Sequence, residues 1–459
     1  MSALTHELSD YIAQSAARPL EPDVADEAKK RIVDAMIAML SGSHLKPGRV
    51  GRAFVLARSA RGGASIAGTR ERSSTELAAL ANGMAAHADE TDDANDFARI
   101  HPGASIVPAA LAVGEADDID GNTLLRAVAL GYNVAIGMVL AIWPTGPRLR
   151  ESIRSTHGVG QLFGATAAAA CAAKLAAPDV ATVLSYSVQQ CSGVGTLIRD
   201  REHVEKAYAI GGMQAHNGVL SVELVRAGFT GVSDVLDNKP SFFDSYTEGG
   251  DRTRLMTEVT GRSHLLTTDM KRYPVGFPIQ AAAQAMEELL AQGGIRPDDV
   301  AEIECRLPAT KSWIVDNRPM PDVNVQYILS AILLDGRLTF ASSHDYARLQ
   351  SREVRSVMER VRLVHDKDLD PPANEKGFTR RAHLKVTLKN GAEHVHKVDA
   401  AKGSRLNPMG WDDLQAKAHG VLAGLCSASQ IDALIDWGRY LDRQGNIRAV
   451  HDLFAMAEE

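Results

Sequence analysis

The sequence predicts a mainly α protein with α+β content, built from a large all-helical domain and a smaller α+β domain. Residues 1–266 repeatedly show apolar side chains at helical spacing and are rich in alanine and glycine, which let helices pack closely. Apart from one short strand predicted at residues 64–67, alternating, strand-like patterns begin beyond residue 267. A chain of 459 residues is long enough for two or three domains.

The large domain is predicted over residues 1–266 and is completed by residues 403–459. Pro22 indicates a helix start, because proline is favoured in the first helical turn. Ser74 or Thr75 and, later, Asp179 are expected to cap further helices. Helices are predicted at residues 3–16, 22–41, 48–58, 76–87, 105–115, 122–143, 159–176, 180–192 and 211–227.

The smaller α+β domain is predicted over residues 267–402. In VAEIECRLP, the apolar residues Ile303, Cys305 and Leu307 alternate with polar ones, which is typical of a half-buried strand. The Asn-Gly pair at residue 390 separates two alternating runs and favours a hairpin. VRLVHD is a further strand, and helices are predicted at residues 277–291, 323–334 and 351–358.

Composition excludes several classes of function. A net charge of −7 argues against a broad nucleic-acid surface, which needs a basic face. The four cysteines are widely spaced and form no metal-ligand pattern. There is no charged-then-apolar signal pattern at the N-terminus and no apolar run of about 18 residues. We therefore expect a cytoplasmic protein with no membrane or nucleic-acid partner.

The main candidate site is the acid-rich stretch from His87 to Ala110, a polar crossing between two helical runs. Loops held by rigid helices often carry binding and catalysis. His87, Glu90, Asp93 and His101 are its candidate functional residues. Three further acids are expected to be solvated, as charge runs mostly are: Asp89, Asp92 and Asp96. His87 and carboxylates could ligate a metal, but no HExxH or matching ligand set accompanies them, so no metal is predicted.

Other candidates lie elsewhere in the chain. His157 precedes an alanine-rich helix whose N-terminus suits a carboxylate, and the alternative is a capping loop. Lys206 follows a mixed-charge run that includes Arg199 and precedes an apolar segment, where a lysine can act as a base or bind an anion. Lys271 lies in a Pro-containing element and is a candidate site residue; the alternative is that this element is a stiff linker. Tyr327 is also a candidate, and the alternative is a structural aromatic residue in the core.

These residues carry a resemblance to the MmgE/PrpD family over nearly the whole chain. ALANGMAAHADETDD is similar to the family's NGxxAHxxDxDD element, and HPGASIVPAALA is similar to HPGAxVxPAALA. His157 before the alanine-rich helix, Lys206, the GFTG run from Gly228 and Asn407-Pro408 also fit. The motifs are specific for the family and leave the reaction open.

The resemblance implies that the smaller α+β domain is a lid domain. It also implies a homodimer that binds a small di- or tricarboxylate in a cleft between the domains, without a cofactor. The family's active-site positions fall on Glu90, Asp93, His101, His157, Lys206, Gln280 and Tyr327. This chain departs from the family at four places: Glu90 replaces an aspartate, Ala94 a threonine, Tyr208 a histidine, and Gln280 with Phe277 replaces histidines.

We expect a lyase that dehydrates a 2-methylcitrate-like hydroxy acid by proton abstraction next to a carboxylate. The alternatives are an epimerase of an iminodisuccinate-like acid, a decarboxylase of a cis-aconitate-like acid and a non-catalytic family member.

Each candidate residue has an expected role in this chemistry. Carboxylate binding is assigned to His101, His157 and Lys206. Proton transfer is assigned to Lys206 or Tyr208, with His157 as the alternative. Orientation of a histidine or assistance to a leaving hydroxyl is assigned to Glu90 or Asp93, and Asp93 needs a neutralising partner. Further substrate contacts are assigned to Gln280, Tyr327, Lys271 and Arg199.

Overall fold

The structure of the protein is a computed structural model that describes residues 4–58, 62–143, 154–246, 250–371 and 380–455. Helix accounts for 59% of it and strand for 10%, which confirms the mainly α class with a smaller α+β part. The chain divides into two compact units, which are described separately below. The first comprises Met1–Ala88, Asp92–Thr268 and Gly424–Glu459, and the second comprises Asp89–Thr91 and Asp269–Ala423.

Helices dominate the first unit. Up to residue 261 they are α1 (Leu4–Ser15), α2 (Pro22–Gly42), α3 (Lys46–Leu56), α4 (Thr75–Ala86), α5 (Gly103–Ala116), α6 (Gly121–Ile142), α7 (His157–Ala172), α8 (Ala177–Gln190), α9 (Val204–Ala207), α10 (Met213–Arg226), α11 (Phe242–Tyr246) and α12 (Arg254–Gly261). A small antiparallel pair, β1 (Ala64–Ser65) and β2 (Arg72–Ser73), joins them.

Helix α6 lies at the core of this unit. It starts where the Asp120 side chain accepts a hydrogen bond from the Thr123 backbone N–H at 2.7 Å, an N-cap of the usual kind. Among the described residues, α6 alone is long and apolar enough to cross a membrane, by length and composition only. Most of its surface is buried against α7, α12 and neighbouring helices, which is typical of a core helix.

The second unit is built on a four-stranded sheet. Its strands are β3 (Val300–Pro308), β4 (Val361–Asp366), β5 (Ala382–Leu388) and β6 (Glu393–Val398), in the order β4-β3-β5-β6. The strand β3 pairs in parallel with β4 and antiparallel with β5, and β5 and β6 form the predicted hairpin. The alternating residues Ile303, Cys305 and Leu307 are fully buried, which confirms the predicted strand pattern.

Helices complete this unit, and two more return to the first. The second unit contains α13 (Gln280–Ala291), α14 (Ala309–Ser312), α15 (Val325–Asp335), α16 (Phe340–Ser343), α17 (Tyr346–Leu349), α18 (Arg352–Met358) and α19 (Trp411–Leu422). The first unit ends with α20 (Ala428–Arg439) and α21 (Val450–Phe454).

The observed grouping differs from the predicted division at α19. The sequence predicted that the helical domain resumes at residue 403, whereas the structure groups α19 with the second unit. Lys417 on α19 donates a hydrogen bond at 2.9 Å to the carbonyl oxygen of Thr91, a residue of the second unit. Such a long-range contact leaves no local signal in the sequence.

Two glycines allow α4 to approach a π-helical turn formed by Tyr208–Gly212. A Cβ atom on Gly211 would lie 2.0 Å from the carbonyl oxygen of Gly83, and one on Gly83 would lie 2.7 Å from that of Gly211. Only a hydrogen atom fits at either position. This approach brings the end of α4, next to His87, close to the segment that follows Lys206.

We predict that Gly211→Ala destabilises the first unit. The added methyl group forces two backbones apart, and overpacking of this kind costs about 1–3 kcal/mol. Thermal unfolding would show a lower melting temperature. Gly261→Ala is the control, since no atom lies within 4 Å of its added Cβ, and its melting temperature should stay close to that of the wild type. Equal melting temperatures for Gly211→Ala and the wild type would contradict the prediction.

Candidate active site

Four histidines of the first unit lie together, and we call them the histidine cluster: His87, His101, His157 and His203. The ring centroids of His87 and His101 are 4.8 Å apart, those of His87 and His203 are 5.2 Å apart, and those of His101 and His157 are 5.6 Å apart. His87 and His203 are buried, whereas His101 and His157 are partly exposed. The cluster therefore has an inner pair and an outer pair.

Each histidine of the cluster lies at or next to the end of a helix. His87 is the C-cap of α4, and His101 comes two residues before α5 begins. His157 is the first residue of α7, and His203 is the N-cap of α9. Residues at helix ends are held by rigid elements while their side chains remain outside the helix surface. This arrangement fits a binding site built from distant parts of the sequence.

Oxygen acceptors fix the Nδ1 atoms of three of these rings. The Nδ1 atom of His87 lies 2.8 Å from Asp92 Oδ2, and that of His101 lies 2.8 Å from the carbonyl oxygen of Asp93. The Nδ1 atom of His157 lies 3.1 Å from Gln161 Oε1. An oxygen acceptor requires a proton on Nδ1, so Nε2 is the atom of each ring that gains or loses a proton.

Burial and mutual repulsion favour neutral rings. Burial lowers the pKa of His157 well below its usual value, and the nearby His101, His87 and Lys206 add to the effect. Burial also lowers the pKa of His87, although the Asp92 carboxylate opposes it. An anion bound here would relieve the repulsion and favour the protonated rings.

Lys206 belongs electrostatically to the cluster. Its charge lowers the pKa values of both His87 and His157, which places it near both rings. The residue is half-buried on α9, and its backbone N–H donates to Asp200 Oδ2 at 2.9 Å. The rings of His101 and His157 are therefore neighbours, and the charge of Lys206 acts on His87 and His157. Carboxylate binding by His101, His157 and Lys206 stays a prediction.

By distance, three residues of this region could also hold a metal ion. One potential ligand atom from each of His87, Asp92 and His101 lies within 4.8 Å of the others. Asp92 Oδ2, however, lies 2.8 Å from His87 Nδ1 and 3.3 Å from His101 Nδ1, so a cation would compete with two N–H groups for this oxygen. Asp92 is thus engaged as a hydrogen-bond acceptor, which argues against this carboxylate as a metal ligand.

Asp93 anchors the loop that holds His101. Its Oδ2 accepts a hydrogen bond from the Tyr132 hydroxyl at 2.6 Å, and its Oδ1 accepts one from the Gly103 backbone N–H at 2.9 Å. Arg31 lies 3.6 Å from Oδ2 and supplies the neutralising partner that the sequence required. Burial raises the pKa of Asp93 to about 6, while Arg31 and Tyr132 hold it down. With both oxygens engaged, Asp93 orients His101 through its backbone carbonyl.

Two acids that the sequence assigned to solvent are buried instead. Asp89 and Asp92 are each 1% exposed, so the expectation of solvated faces was wrong for them. Asp92 accepts from the histidine cluster, and Asp89 accepts from the backbone N–H and hydroxyl of Thr91 at 2.9 and 2.6 Å. Charge runs are buried only when partners compensate for the loss of water, and these partners come from the fold.

In the second unit, three cations hold the segment Asp89–Thr91. His344 Nε2 lies 3.1 Å from Asp89 Oδ2, and Lys271 Nζ lies 2.9 Å from Glu90 Oε2. Lys417 donates to the carbonyl oxygen of Thr91. Glu90 and Lys271, both predicted site residues, thus form a buried ion pair with each other.

Two predicted substrate-binding residues of the second unit have their polar groups occupied by the backbone. The amide of Gln280 accepts from the Tyr273 N–H at 3.1 Å and donates to the Tyr273 and Val275 carbonyl oxygens at 2.8 Å. The hydroxyl of Tyr327, fully buried, donates to the Ser342 carbonyl at 2.6 Å. These contacts support structural roles, including the core-aromatic alternative for Tyr327, and substrate binding by Gln280 or Tyr327 stays a prediction.

Two other predicted residues face solvent. Tyr208 is 45% exposed, and Arg199, at the end of a 3-10 turn, is also exposed. Among the described residues, no hydrogen bond, ion pair or ring contact joins either side chain to the histidine cluster. Proton transfer by Tyr208 therefore has less support than transfer by Lys206 or His157.

Sequence reasoning missed three residues that hold the cluster. Gln161 accepts from both the His101 backbone N–H at 3.2 Å and the His157 ring, and its position four residues after His157 is a helical spacing that could have indicated it. His203 lies in a mixed-charge run, and such runs are usually solvated, so the sequence did not indicate a buried ring at this position. Tyr132, in the middle of α6, gives no local signal at all.

A mainly helical two-unit fold with a partly buried histidine cluster and a lysine is an arrangement suited to binding organic anions. Residues 6–254 match the MmgE/PrpD N-terminal domain, and residues 273–439 match the MmgE/PrpD C-terminal domain. The chain therefore belongs to the MmgE/PrpD family, which confirms the resemblance.

Two relatives are similar over most of their length. A cis-aconitate decarboxylase of Homo sapiens is 25% identical over 455 residues, covering 95% of this chain and 91% of the relative. A cis-aconitate decarboxylase-like protein of Aspergillus oryzae is 24% identical over 449 residues, covering 90% of this chain and 89% of the relative. These names support an enzyme, and identity at this level does not carry the reaction over.

Tyr132→Phe is predicted to destabilise the first unit. It removes a hydroxyl donor from a buried carboxylate, and losing one partner of a buried polar pair costs about 1–3 kcal/mol. Thermal unfolding would show a lower melting temperature. In the control, Tyr186→Phe, the lost hydrogen bond to the Thr230 carbonyl lies at the surface, so the change should be small. Equal effects of the two substitutions would argue against a special role for the Asp93 network.

His344→Gln should destabilise the protein in a pH-dependent way. Burial alone would lower the pKa of His344, but Asp89 outweighs it and raises the pKa to about 9. Because the folded pKa exceeds the usual value of about 6.5, the ion pair stabilises fully below about pH 6.5 and is lost as pH rises through 9. The wild type should therefore melt well above the variant at pH 6, and the gap should shrink by pH 10.

His383→Gln is the control for that experiment. The His383 ring lies 3.6 Å from the largely exposed carboxylate of Asp399, and such surface pairs contribute at most about 1 kcal/mol. Its melting temperature should follow the wild type at both pH values. A gap between His344→Gln and the wild type that does not change with pH would contradict the ion-pair account.

Proposed function

We propose that this protein is a lyase that acts on a small di- or tricarboxylate through a carbanion next to a carboxylate. The observation that carries the proposal is the ring contact of His101 with both His87 and His157, in a cluster on which the charge of Lys206 also acts. Membership of the MmgE/PrpD family supports the class of reaction.

The charges of the cluster suit an anionic ligand. Ligand-free, the rings of His87 and His157 favour the neutral state because of burial and mutual repulsion. Two or three carboxylates would reverse that balance, and each Nε2 atom would then carry a proton that it donates to a carboxylate oxygen. Such charge-assisted hydrogen bonds in a water-poor environment stabilise a developing negative charge strongly.

Among the lyase reactions, we place decarboxylation of a cis-aconitate-like acid first. In that reaction the bond to a carboxylate carbon breaks, CO₂ leaves, and the electron pair remains on carbon next to another carboxylate. A proton from Lys206, or alternatively from His157, then quenches the carbanion. Cations and one proton donor are all that this step requires, and the two relatives named for cis-aconitate decarboxylation favour it.

Dehydration, which the sequence favoured, is the second candidate. It needs a base for the carbon-bound proton and an acid for the leaving hydroxyl. Asp93, a predicted acid, has both carboxylate oxygens engaged by Tyr132 and Gly103 and is poorly placed to protonate a leaving group. Epimerisation remains the third candidate, since it needs only one proton to leave and return.

An assay panel separates the three reactions. Purified protein would be incubated with cis-aconitate, 2-methylcitrate, citrate and iminodisuccinate. Decarboxylation releases CO₂, dehydration creates an alkene conjugated with a carboxylate, and epimerisation in D₂O incorporates deuterium without either change. We expect CO₂ release from cis-aconitate. No binding and no turnover with any acid of the panel would contradict the proposal.

We predict that Lys206→Met lowers kcat/KM by at least about tenfold on the acid that is turned over, because it removes a cation and a proton donor from the cluster. The control is Lys174→Met, because Lys174 is exposed and lies just after the C-terminal end of α7, whereas His157 begins this helix. The control should stay within about twofold of the wild type, as surface changes away from a site usually do. Equal activities of the two variants would remove Lys206 from the mechanism.

A further inference from the structure

His203 has a backbone conformation that histidine rarely adopts. Its φ of 61° and ψ of 8° lie in the left-handed region, which is unfavourable for a residue with a Cβ atom. Glycine adopts this conformation readily, and asparagine does so more easily than most residues. A strained residue persists only where the surroundings hold it, so the histidine at this position calls for an explanation.

The backbone of His203 starts the turn that carries Lys206. Its carbonyl oxygen accepts a hydrogen bond from the Ala207 N–H at 3.0 Å, at the start of α9. Asparagine or glycine at position 203 could provide the same carbonyl at lower cost. The requirement for this turn therefore explains the left-handed backbone, and it does not explain the imidazole.

The ring of His203 lies against the inner histidine of the cluster. It is 3% exposed and meets the His87 ring edge-on, at a centroid distance of 5.2 Å and an interplanar angle of 61°. On the same His87 ring, His101 lies at 4.8 Å, and Asp92 accepts from Nδ1. The His87 ring is thus in contact with two imidazoles, those of His101 and His203, and with the Asp92 carboxylate at its Nδ1 edge.

We propose that His203 is a positioning residue, whose ring fixes the orientation of His87 and, through it, the place of His101 in the site. This inference rests on the proposed function for its catalytic consequence, and on the geometry alone for the effect on His87. The strain at position 203 is then the cost of turning an imidazole inwards, towards His87, instead of leaving a small residue in the turn.

The test compares His203→Asn with His203→Phe. Asparagine tolerates the left-handed backbone but removes the ring, whereas phenylalanine keeps a ring edge against His87. Lys174→Asn is the matched control, because Lys174 is exposed and has a similar φ of 52°. Two measurements are made on each variant: deuterium exchange at the ring C2 carbon of individual histidines in ligand-free protein, and kcat/KM on the acid that is turned over.

In His203→Asn we expect exchange at His87 to accelerate by roughly fivefold or more, since its ring loses a cover. His264, a fully buried histidine of the same unit, is the internal control and should not change. The value of kcat/KM should fall by about tenfold or more, mostly in kcat, because small displacements of a catalytic group are costly. His203→Phe should keep slow exchange at His87 and recover part of kcat, and Lys174→Asn should match the wild type in both measurements.

The outcomes separate this inference from the proposed function. Unchanged exchange at His87 in His203→Asn would overturn the inference, whatever the activity. The inference would also be overturned by two results together: a large fall in melting temperature for His203→Asn but not for Lys174→Asn, and faster exchange at both His87 and His264. His203 would then be a residue that stabilises the fold in general. Faster exchange at His87 alone, in a protein that neither binds nor turns over any acid of the panel, would leave the positioning of His87 standing and remove the proposed function.

Discussion

The Nδ1 hydrogen bonds of the histidine cluster are the constraint on which the site depends. Because His87, His101 and His157 each give this proton to an oxygen, their tautomers are set before any ligand arrives. A site with fixed tautomers does not have to reorganise when negative charge develops, which is the advantage of preorganised electrostatics. The acceptors Asp92 and Gln161 are therefore as much part of the site as the rings.

Close packing of backbones makes this arrangement possible. The rings come from helix ends far apart in the sequence, so the helices that carry them must approach closely. Gly83 and Gly211 meet where any side chain would collide, and a Cβ atom on Gly103 would lie 2.8 Å from both Asp93 Oδ1 and the Tyr132 hydroxyl. The small residues that suggested a compact helical domain in the sequence thus serve the geometry of the site as well as its stability.

Local periodicity accounts for most of what the sequence predicted correctly. Helix α2, with proline in its first turn, and the β5–β6 hairpin around its Asn-Gly turn depend on neighbours in sequence, and the structure has both. No local pattern indicates that β3 pairs in parallel with β4 or that α19 groups with the second unit, because these contacts join residues far apart in the chain.

The site was predictable to the extent that motifs carried it. His101, His157 and Lys206 lie in recognisable patterns. The burial of Asp92 was not predictable, since acidic runs are usually solvated and its two histidine partners become neighbours only on folding. For Gln280 the motif suggested a contact with the ligand, whereas in the structure its side-chain amide donates hydrogen bonds to backbone carbonyl oxygens of the preceding loop.

The most direct test of the account measures protons taken up on binding. Propane-1,2,3-tricarboxylate, a saturated analogue of cis-aconitate, would be titrated into the protein by calorimetry at pH 7 in phosphate and in Tris, which differ in ionisation enthalpy. If carboxylates raise the depressed pKa values of His157 and His87, binding takes up protons, so the two heats differ in the direction of uptake. Binding with equal heats in both buffers, or with proton release, would contradict the claim that these histidines receive the acid.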